Sequence, residues 1–385
     1  MNVKLWAVVL ALIVVLSSTG MYLSSNTADD DKVVIAARVN EEGSGIFAHS
    51  DNLVNRDQGG NLIKDENGLI SYNPDEWVGK LFVHPGPSTI QYMMLKDIVE
   101  NDLGFEFVER GATPSTQRYV FHAVLPPAQM KDAFTSNQPF AIEGGIIWES
   151  FFSNIYDDHS TGAKLVFLTG ERSPEHTCCV IVSNRTFAND TPTYLIRFLA
   201  AYMETVTAMN DAIDAGGQDE NYLKLLDAAH AYTSVDKDIL REAIAKTKFL
   251  YEMDHLIEDV VELVEGFGAM DRVLNYTPAE LGFKDSTDFA KWLVDDYYLT
   301  RAANFQPDDA TTDITLKVAI LTGDLHGIAL QFGLNLGIFE KYRINVEQSI
   351  VANGPAAMDL LLSGTVNIGM LGAPPTVIKS INMYK

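Results

Sequence analysis

Apolar positions along the chain change their spacing from region to region, and each spacing predicts a different kind of element. From Val33 to Val39 β-branched residues and alanines follow one another almost without interruption, the pattern of a buried strand, and Asn-Glu-Glu-Gly-Ser-Gly at 40–45 ends it. Between Ile46 and Glu76 the composition turns to Asn, Asp, Gly and Lys, which predicts a surface excursion with a hairpin rather than core. Residues 79–105, GKLFVHPGPSTIQYMMLKDIVENDLGF, predict a strand, a Pro-Gly turn and an amphipathic helix, the first half of a βα unit. Apolar strands with short connections come next, over 139–155 and 164–183.

From Thr193 to Phe267 the period lengthens to three and four residues, with acids and lysines between the apolar positions. That predicts long amphipathic helices over Tyr194–Ile213 and Asp238–Gly268. A last helix over Asp288–Phe305 runs into a Pro-, Asp- and Thr-rich linker at 306–313. A fresh βαβα series then begins: strand 316–321, turn 322–327, helix 328–342, strand 344–350, turn 352–355, helix 356–364, strand 366–371 and a Gly-Ala-Pro-Pro turn at 372–375. Strands alternating with helices predict α/β layers. A series that looks like the opening of a fold stands at the end of the chain.

Composition fits two such lobes. The chain has 385 residues, 47% hydrophobic and 21% charged, enough to build two cores. Its formal net charge of −24 argues against a nucleic-acid partner, because phosphate binding draws on clustered Lys and Arg and no such cluster is present. An acidic surface of this kind serves solubility and says little about a site.

The first residues predict export. Lys4 precedes an apolar run from Leu5 to Leu16, small and polar residues come after it, and Asp29, Asp30 and Asp31 close the segment. Residues 1–31 thus read as a signal peptide or an N-terminal membrane anchor, with everything after them extracytoplasmic. The run is shorter than the roughly 20 residues of a comfortable span, so cleaved and anchored forms both satisfy the pattern. The sequons at Asn184, Asn189 and Asn275 fit an exported chain but are too short to be specific. The two cysteines, Cys178 and Cys179, are adjacent. Neighbours close a disulfide only with strain, and two thiols do not make a four-ligand zinc site, so they read as small buried residues or as reactive, ligand-touching ones. Neither a metal nor a cofactor is expected.

One set of motifs carries a resemblance. Gly337-Ile338-Phe339-Glu340, Gly354-Pro355-Ala356 and Gly372-Ala373-Pro374-Pro375 resemble the N-terminal part of the nitrate/sulfonate/taurine-type solute-binding proteins of ABC importers. Residues 33–305 resemble the remainder of that family's sequence, with the PGPSTIQ helix start, Trp148-Glu149 at a strand end and the His176 to Cys179 strand. The resemblance covers nearly the whole exported chain, with the family's first third standing last. It implies a type II periplasmic-binding-protein-like α/β fold of two lobes with a hinge and an interlobe cleft, circularly permuted. The domains expected are 1–31 for export, 33–78 as a first-lobe strand with its excursion, 79–172 as the second lobe, and 173–305 as the return strand and helical part of the first lobe. Residues 306–313 are the linker and 314–385 the permuted first-lobe βα units.

The resemblance also implies a function and a site. The function is capture of a small ligand, anionic by the family's habit, by a monomer that hands it to an ABC permease and its ATPase. The ligand class is nitrate, sulfonate, taurine or bicarbonate. Helix starts at Asn353 and Gly354, at Gly86, Ser88 and Thr89, and at Gly372, Ala373 and Pro374 would offer backbone amides to an anion. Gln91 adds a donor, and Asp324, Leu325 and His326 would line the cleft, with Trp148, Glu149, Asn40, Ser44 and His176 as further candidates. Each has a plainer reading as a helix cap, a core residue or a hinge shaper. Two alternatives stay open: a thiamine-pyrimidine-related binding protein or enzyme, and an anchored orphan ligand sensor. No Ser/His/Asp triad, P-loop or His-rich motif compels catalysis, so the chain reads as a non-enzyme.

Overall fold

The computed structural model describes residues 32–270 and 273–385. The expected export segment at 1–31 lies outside the described residues. Among the described residues no helix is long and apolar enough to cross a membrane.

Two six-stranded mixed sheets organise the chain. The first contains β1 (Val33–Glu42), β8 (Thr177–Asn184), β9 (Thr247–Phe249), β10 (Ile314–Leu321), β11 (Ile344–Val351) and β12 (Ile368–Gly372). Its order is β11-β10-β12-β8-β1-β9, with β10 parallel to both neighbours and β8 antiparallel to β12 and β1. The second contains β2 (Ser44–Ala48), β3 (Leu81–His84), β4 (Glu106–Glu109), β5 (Tyr119–Val124), β6 (Gly144–Trp148) and β7 (Lys164–Leu168), in the order β4-β5-β3-β6-β2-β7.

Both faces of the first sheet are covered, which is why its strands read as nearly continuous apolar runs. Leu316, Val318 and Ile320 of β10 pack with helices 192–215, 220–233 and 328–335, while Ala319 and Leu321 face helices 256–268, 354–362 and 373–382. The 24-residue helix at 192–215 starts on Pro192 and stops at Gly216, the expected punctuation at its two ends. Helices 127–136 and 151–156 cover one face of the second sheet with Met130, Phe134, Phe152 and Ile155 over Phe47, Val83 and Ile147.

The chain passes between the sheets at two places. β1 continues into β2 through Glu42 and Gly43, which take φ of 58° and 76°. A side chain on Gly43 would meet Thr247 Oγ1 at 3.1 Å and His326 Nε2 at 3.3 Å, so both its backbone and its surroundings select glycine. The return runs from β7 through a short helix at Thr169–Arg172 into β8. The Glu42 carboxylate accepts the Glu175 amide at 3.0 Å, which ties the two crossings together. Ion pairs Arg38–Glu41 at 2.7 Å and Lys248–Glu41 at 2.6 Å brace the same place.

Several sequence expectations change here. Residues 33–78 do not all belong with the first sheet: β2 pairs with β6 and β7, so the second unit begins at Ser44. The excursion forms the expected hairpin contacts, Val54 to Tyr72 and Lys64 to Ile70, and Arg56 donates to the Leu165 and Val166 carbonyls of β7. The helix expected over 238–268 is interrupted, because Thr247 to Phe249 pair with β1 between helices 237–245 and 256–268. The helix expected over 288–305 breaks where Val294 bridges Ile35, leaving helices 286–293 and 297–302. Gly337, at φ 70°, divides the one expected over 328–342. Within 139–155 only 144–148 are strand, and 151–156 are helix.

The described chain's two ends meet. The Lys32 ammonium lies 4.2 Å from the centre of the Tyr384 ring, and the last helix, Ala373–Asn382, packs on β8 and β12.

Candidate functional site

A cavity of about 310 Å³ lies between the sheets, and both line it. The parallel strands end there, the usual place for a ligand in α/β sheets. From the first sheet come Leu321 with Asp324 and His326 after β10, Cys178 and Cys179 on β8, Asn353 to Pro355 after β11, and Gly372, Pro374 and Pro375 after β12. The second sheet contributes Pro85 and Ser88 to Gln91 after β3, Val124, Pro126 and Pro127 after β5, and Trp148 at the end of β6.

The helix starts are largely self-satisfied. Thr89 caps helix 90–97 by accepting the Tyr92 amide at 3.2 Å and donating to the Gly86 carbonyl at 2.7 Å. Asn353 Oδ1 accepts the Ala356 amide at 3.0 Å. The start at Gly372 has no side-chain cap, but Pro374 and Pro375 carry no N–H, and Pro355 removes one at the Gly354 start. Fewer amides therefore face the cavity than the sequence pattern suggests. No Lys or Arg lines it, and the charged side chains there are Asp324 and His326.

Those two form a buried pair. Asp324 Oδ1 accepts the His326 amide at 3.0 Å and lies 2.6 Å from His326 Nδ1. Burial works against charge on the imidazole, but the Asp324 carboxylate, with Cys178 and Glu149 adding to it, outweighs burial and raises the His326 pKa to about 9. Cys179 Sγ stands 3.4 Å from His326 Nδ1 and 4.0 Å from Cys178 Sγ. The Cys179 thiol directed at Cys178 brings Cys178 down to about 7, and the same contact, with burial, pushes Cys179 up. His326 Nε2 and the Trp148 indole nitrogen are buried with no hydrogen-bond partner.

The structure sorts the sequence candidates. Asp324, His326, Asn353, Gly354, Gly372, Pro374, Ser88, Thr89, Gln91 and Trp148 line the cavity together. Leu325 is fully buried in the core, and Ala373, the first residue of the last helix, is buried as well. Gly86, at φ 144°, shapes the turn before Thr89 without lining the cavity. Asn40 holds the crossing instead, its amide donating to the Glu41 and Glu42 carbonyls at 3.4 and 3.2 Å. Ser44 accepts from Gln91 at 2.9 Å and so positions a lining side chain rather than being one. Glu149 turns away from the cavity: it accepts from the Ser153 amide at 3.0 Å and hydroxyl at 2.9 Å, and burial lifts its pKa to about 7 against the pull of Lys246. His176 lies on a separate cavity with Arg172, Asp97 and Asp259, its Nδ1 2.7 Å from the Ser173 carbonyl.

Sequence reasoning passed over Val124, Pro126 and Pro127, and left Cys178 and Cys179 undecided between buried and ligand-touching. Both cysteines are buried, and both line the cavity. The pairing of β1 with β8 explains it. Asn40 is opposite Cys179 and Glu41 opposite Thr177, so Cys178 is an extra residue with no partner, a β-bulge. Residues 179 and 181 pack in one core cluster and 180 and 182 in another, yet Cys178 joins the cluster of Cys179. The bulge turns two adjacent side chains to the same side.

No protein-family model matches the chain, and no curated protein matches it. Fold and site together define a mixed α/β protein of two sheets with a cavity lined by both.

Proposed function

We propose that this protein is a solute receptor of the two-lobed type II kind: a small ligand enters the cavity, bridges the lobes and favours a closed form. The observation that supports this most is the pair of crossings at 42–44 and 169–176, which connect two sheets across one shared cavity. The strand order supports the same reading. Counting β10, β11 and β12 as first to third and β1 as fourth, the first sheet runs second, first, third, return strand, fourth, then the three-residue edge strand β9, with the return strand antiparallel. That count requires a circular permutation, which the contact of Lys32 with Tyr384 makes short to close.

In this reading the receptor works outside the cytoplasmic membrane and passes its ligand to an ABC permease. The lining refines the ligand class of the family resemblance. Six prolines, Val124, Leu321 and Trp148 give apolar walls, the charged and thiol groups gather at Asp324, His326, Cys178 and Cys179, and Ser88, Thr89, Gln91 and Asn353 stand at two helix starts. A compact ligand with an apolar body and one polar end suits these walls better than a bare inorganic anion. Thermal unfolding of the full chain with nitrate, bicarbonate, taurine, alkyl sulfonates and pyrimidines tests the reading. A rise in Tm with one class is expected, about 2.7 kcal/mol of stabilisation at a hundredfold excess over Kd. No rise with any class would sink it.

A further inference from the structure

We propose that Cys178, Cys179 and His326 form a binding site for a soft, closed-shell metal ion, zinc(II) or copper(I), with a coordination position left open toward the cavity. Three donor atoms, the two Sγ and one His326 ring nitrogen, lie within 4.8 Å of one another, and all three residues are buried. The sulfur–sulfur separation is close to that of a metal centre. Metal–sulfur bonds of about 2.3 Å and metal–nitrogen bonds of about 2.0 Å at tetrahedral angles place sulfurs about 3.8 Å apart and sulfur about 3.5 Å from nitrogen. Here Sγ–Sγ is 4.0 Å, and a His326 ring nitrogen lies within 4.8 Å of both sulfurs.

Three further observations point the same way. Adjacent strand residues face opposite sides, and only the bulge at Cys178 brings both thiols together, a local cost that core packing alone does not require. His326 Nε2 is buried without a partner, while Asp324 holds the ring from Nδ1 at 2.6 Å, the outer contact by which a carboxylate orients a ligating histidine. All four residues line the cavity, so the donors cover one side of the ion and leave the other facing the cavity. Three protein ligands and an open position is the arrangement of a site that exchanges a water for a donor atom of another molecule. Two thiolates choose soft ions over magnesium or calcium. Binding displaces the two thiol protons and the proton on the ligating imidazole nitrogen to solvent, and zinc(II) offsets two of the displaced charges, copper(I) one. The inference uses the cavity's geometry and stands apart from the transport reading.

The test uses the full chain, reduced and kept free of oxygen. One arm titrates it with cobalt(II), displaced afterwards by zinc(II); the other adds copper(I) against a chromophoric chelator. One equivalent per chain with thiolate-to-cobalt charge-transfer absorption, or one equivalent of copper(I) withdrawn from the chelator, is expected. Cys178→Ser and Cys179→Ser should each weaken binding by about tenfold or more, and Asp324→Asn, a positioning change, by about tenfold. Should a variant fail to fold, the wild-type chain still decides, since one bound equivalent must shield both thiols from iodoacetamide. Two thiols that stay freely alkylated in both arms would overturn the site. On chain isolated without reductant, thiols that react only after one is added, revealing a Cys178–Cys179 disulfide as the native state, would overturn it as well.

Discussion

The two sides of the cavity are built from similar βα units but differ in their charged and thiol groups, which all lie on one side. Each side brings three prolines; the first sheet adds Asp324, His326, Cys178, Cys179, Asn353 and Leu321, and the second Trp148, Val124 and one helix start with Ser88, Thr89 as its cap and Gln91 bonded to Ser44. The first side holds the charged pair and the thiols next to strand ends locked by a core, and the second has no charged side chain, its polar groups being one helix start and the Trp148 indole nitrogen. Under the proposed receptor function the difference divides the labour, the first sheet fixing the ligand's polar end and the second covering its body on closure. Their crossings are short and braced by Glu41 and Glu42, so the motion expected is rotation of one half rather than unfolding of either.

The largest effect belongs to the polar side. Asp324→Ala leaves a buried imidazolium without its carboxylate and should cost about 3–5 kcal/mol, read from urea midpoints, with Asp324→Asn recovering part of the loss. A change under 1 kcal/mol would mean that the pair does not anchor the first side.

The second side has its own pH signature. Burial, and next the neighbouring His122, hold His84 down to about 3, so the folded protein keeps it neutral while the unfolded chain takes a proton near pH 6.5. The folded pKa being the lower, this group leaves stability unchanged above pH 6.5 and lowers it as the pH falls toward 3. The loss between pH 6.5 and 4 is about 3 kcal/mol from this group. Urea melts across that range should be flatter for His84→Asn than for the wild type, and parallel profiles would refute the assignment.

Trp148→Ala tests the apolar wall. It should weaken binding of whichever solute raises Tm about tenfold, by calorimetric titration, while moving stability less than Asp324→Ala does. Equal affinity in the variant would remove the second sheet from recognition. The smallest effect is expected at Lys246, which reaches across from the first half to Asp157 at 2.6 Å and Ser153 at 3.1 Å. Lys246→Ala should cost about 1 kcal/mol and lower solute affinity several-fold by favouring the open form.

The same contrast explains what could be read in the sequence. The series from 316 to 375 was legible because its turns are punctuated by Asn353, Gly354 and Gly372 and its strands by uninterrupted apolar runs. Strand β9 was not, because its three residues continue the helical period of 238–268, and only pairing with β1 makes them strand. The cluster of Cys178, Cys179 and His326 was hidden for a similar reason. A bulge has no period, and 147 residues separate Cys179 from its histidine. Glu149 and His176 misled by standing beside strand ends that do face the cavity, while their own side chains turn to Ser153 and toward Ser173.

The central claim is that a small solute bridges the two halves and draws them together. Small-angle scattering of the full chain, with and without a saturating concentration of the solute that raises Tm, measures this directly. A radius of gyration that falls on binding is the predicted result; an unchanged radius with the site saturated would contradict the account.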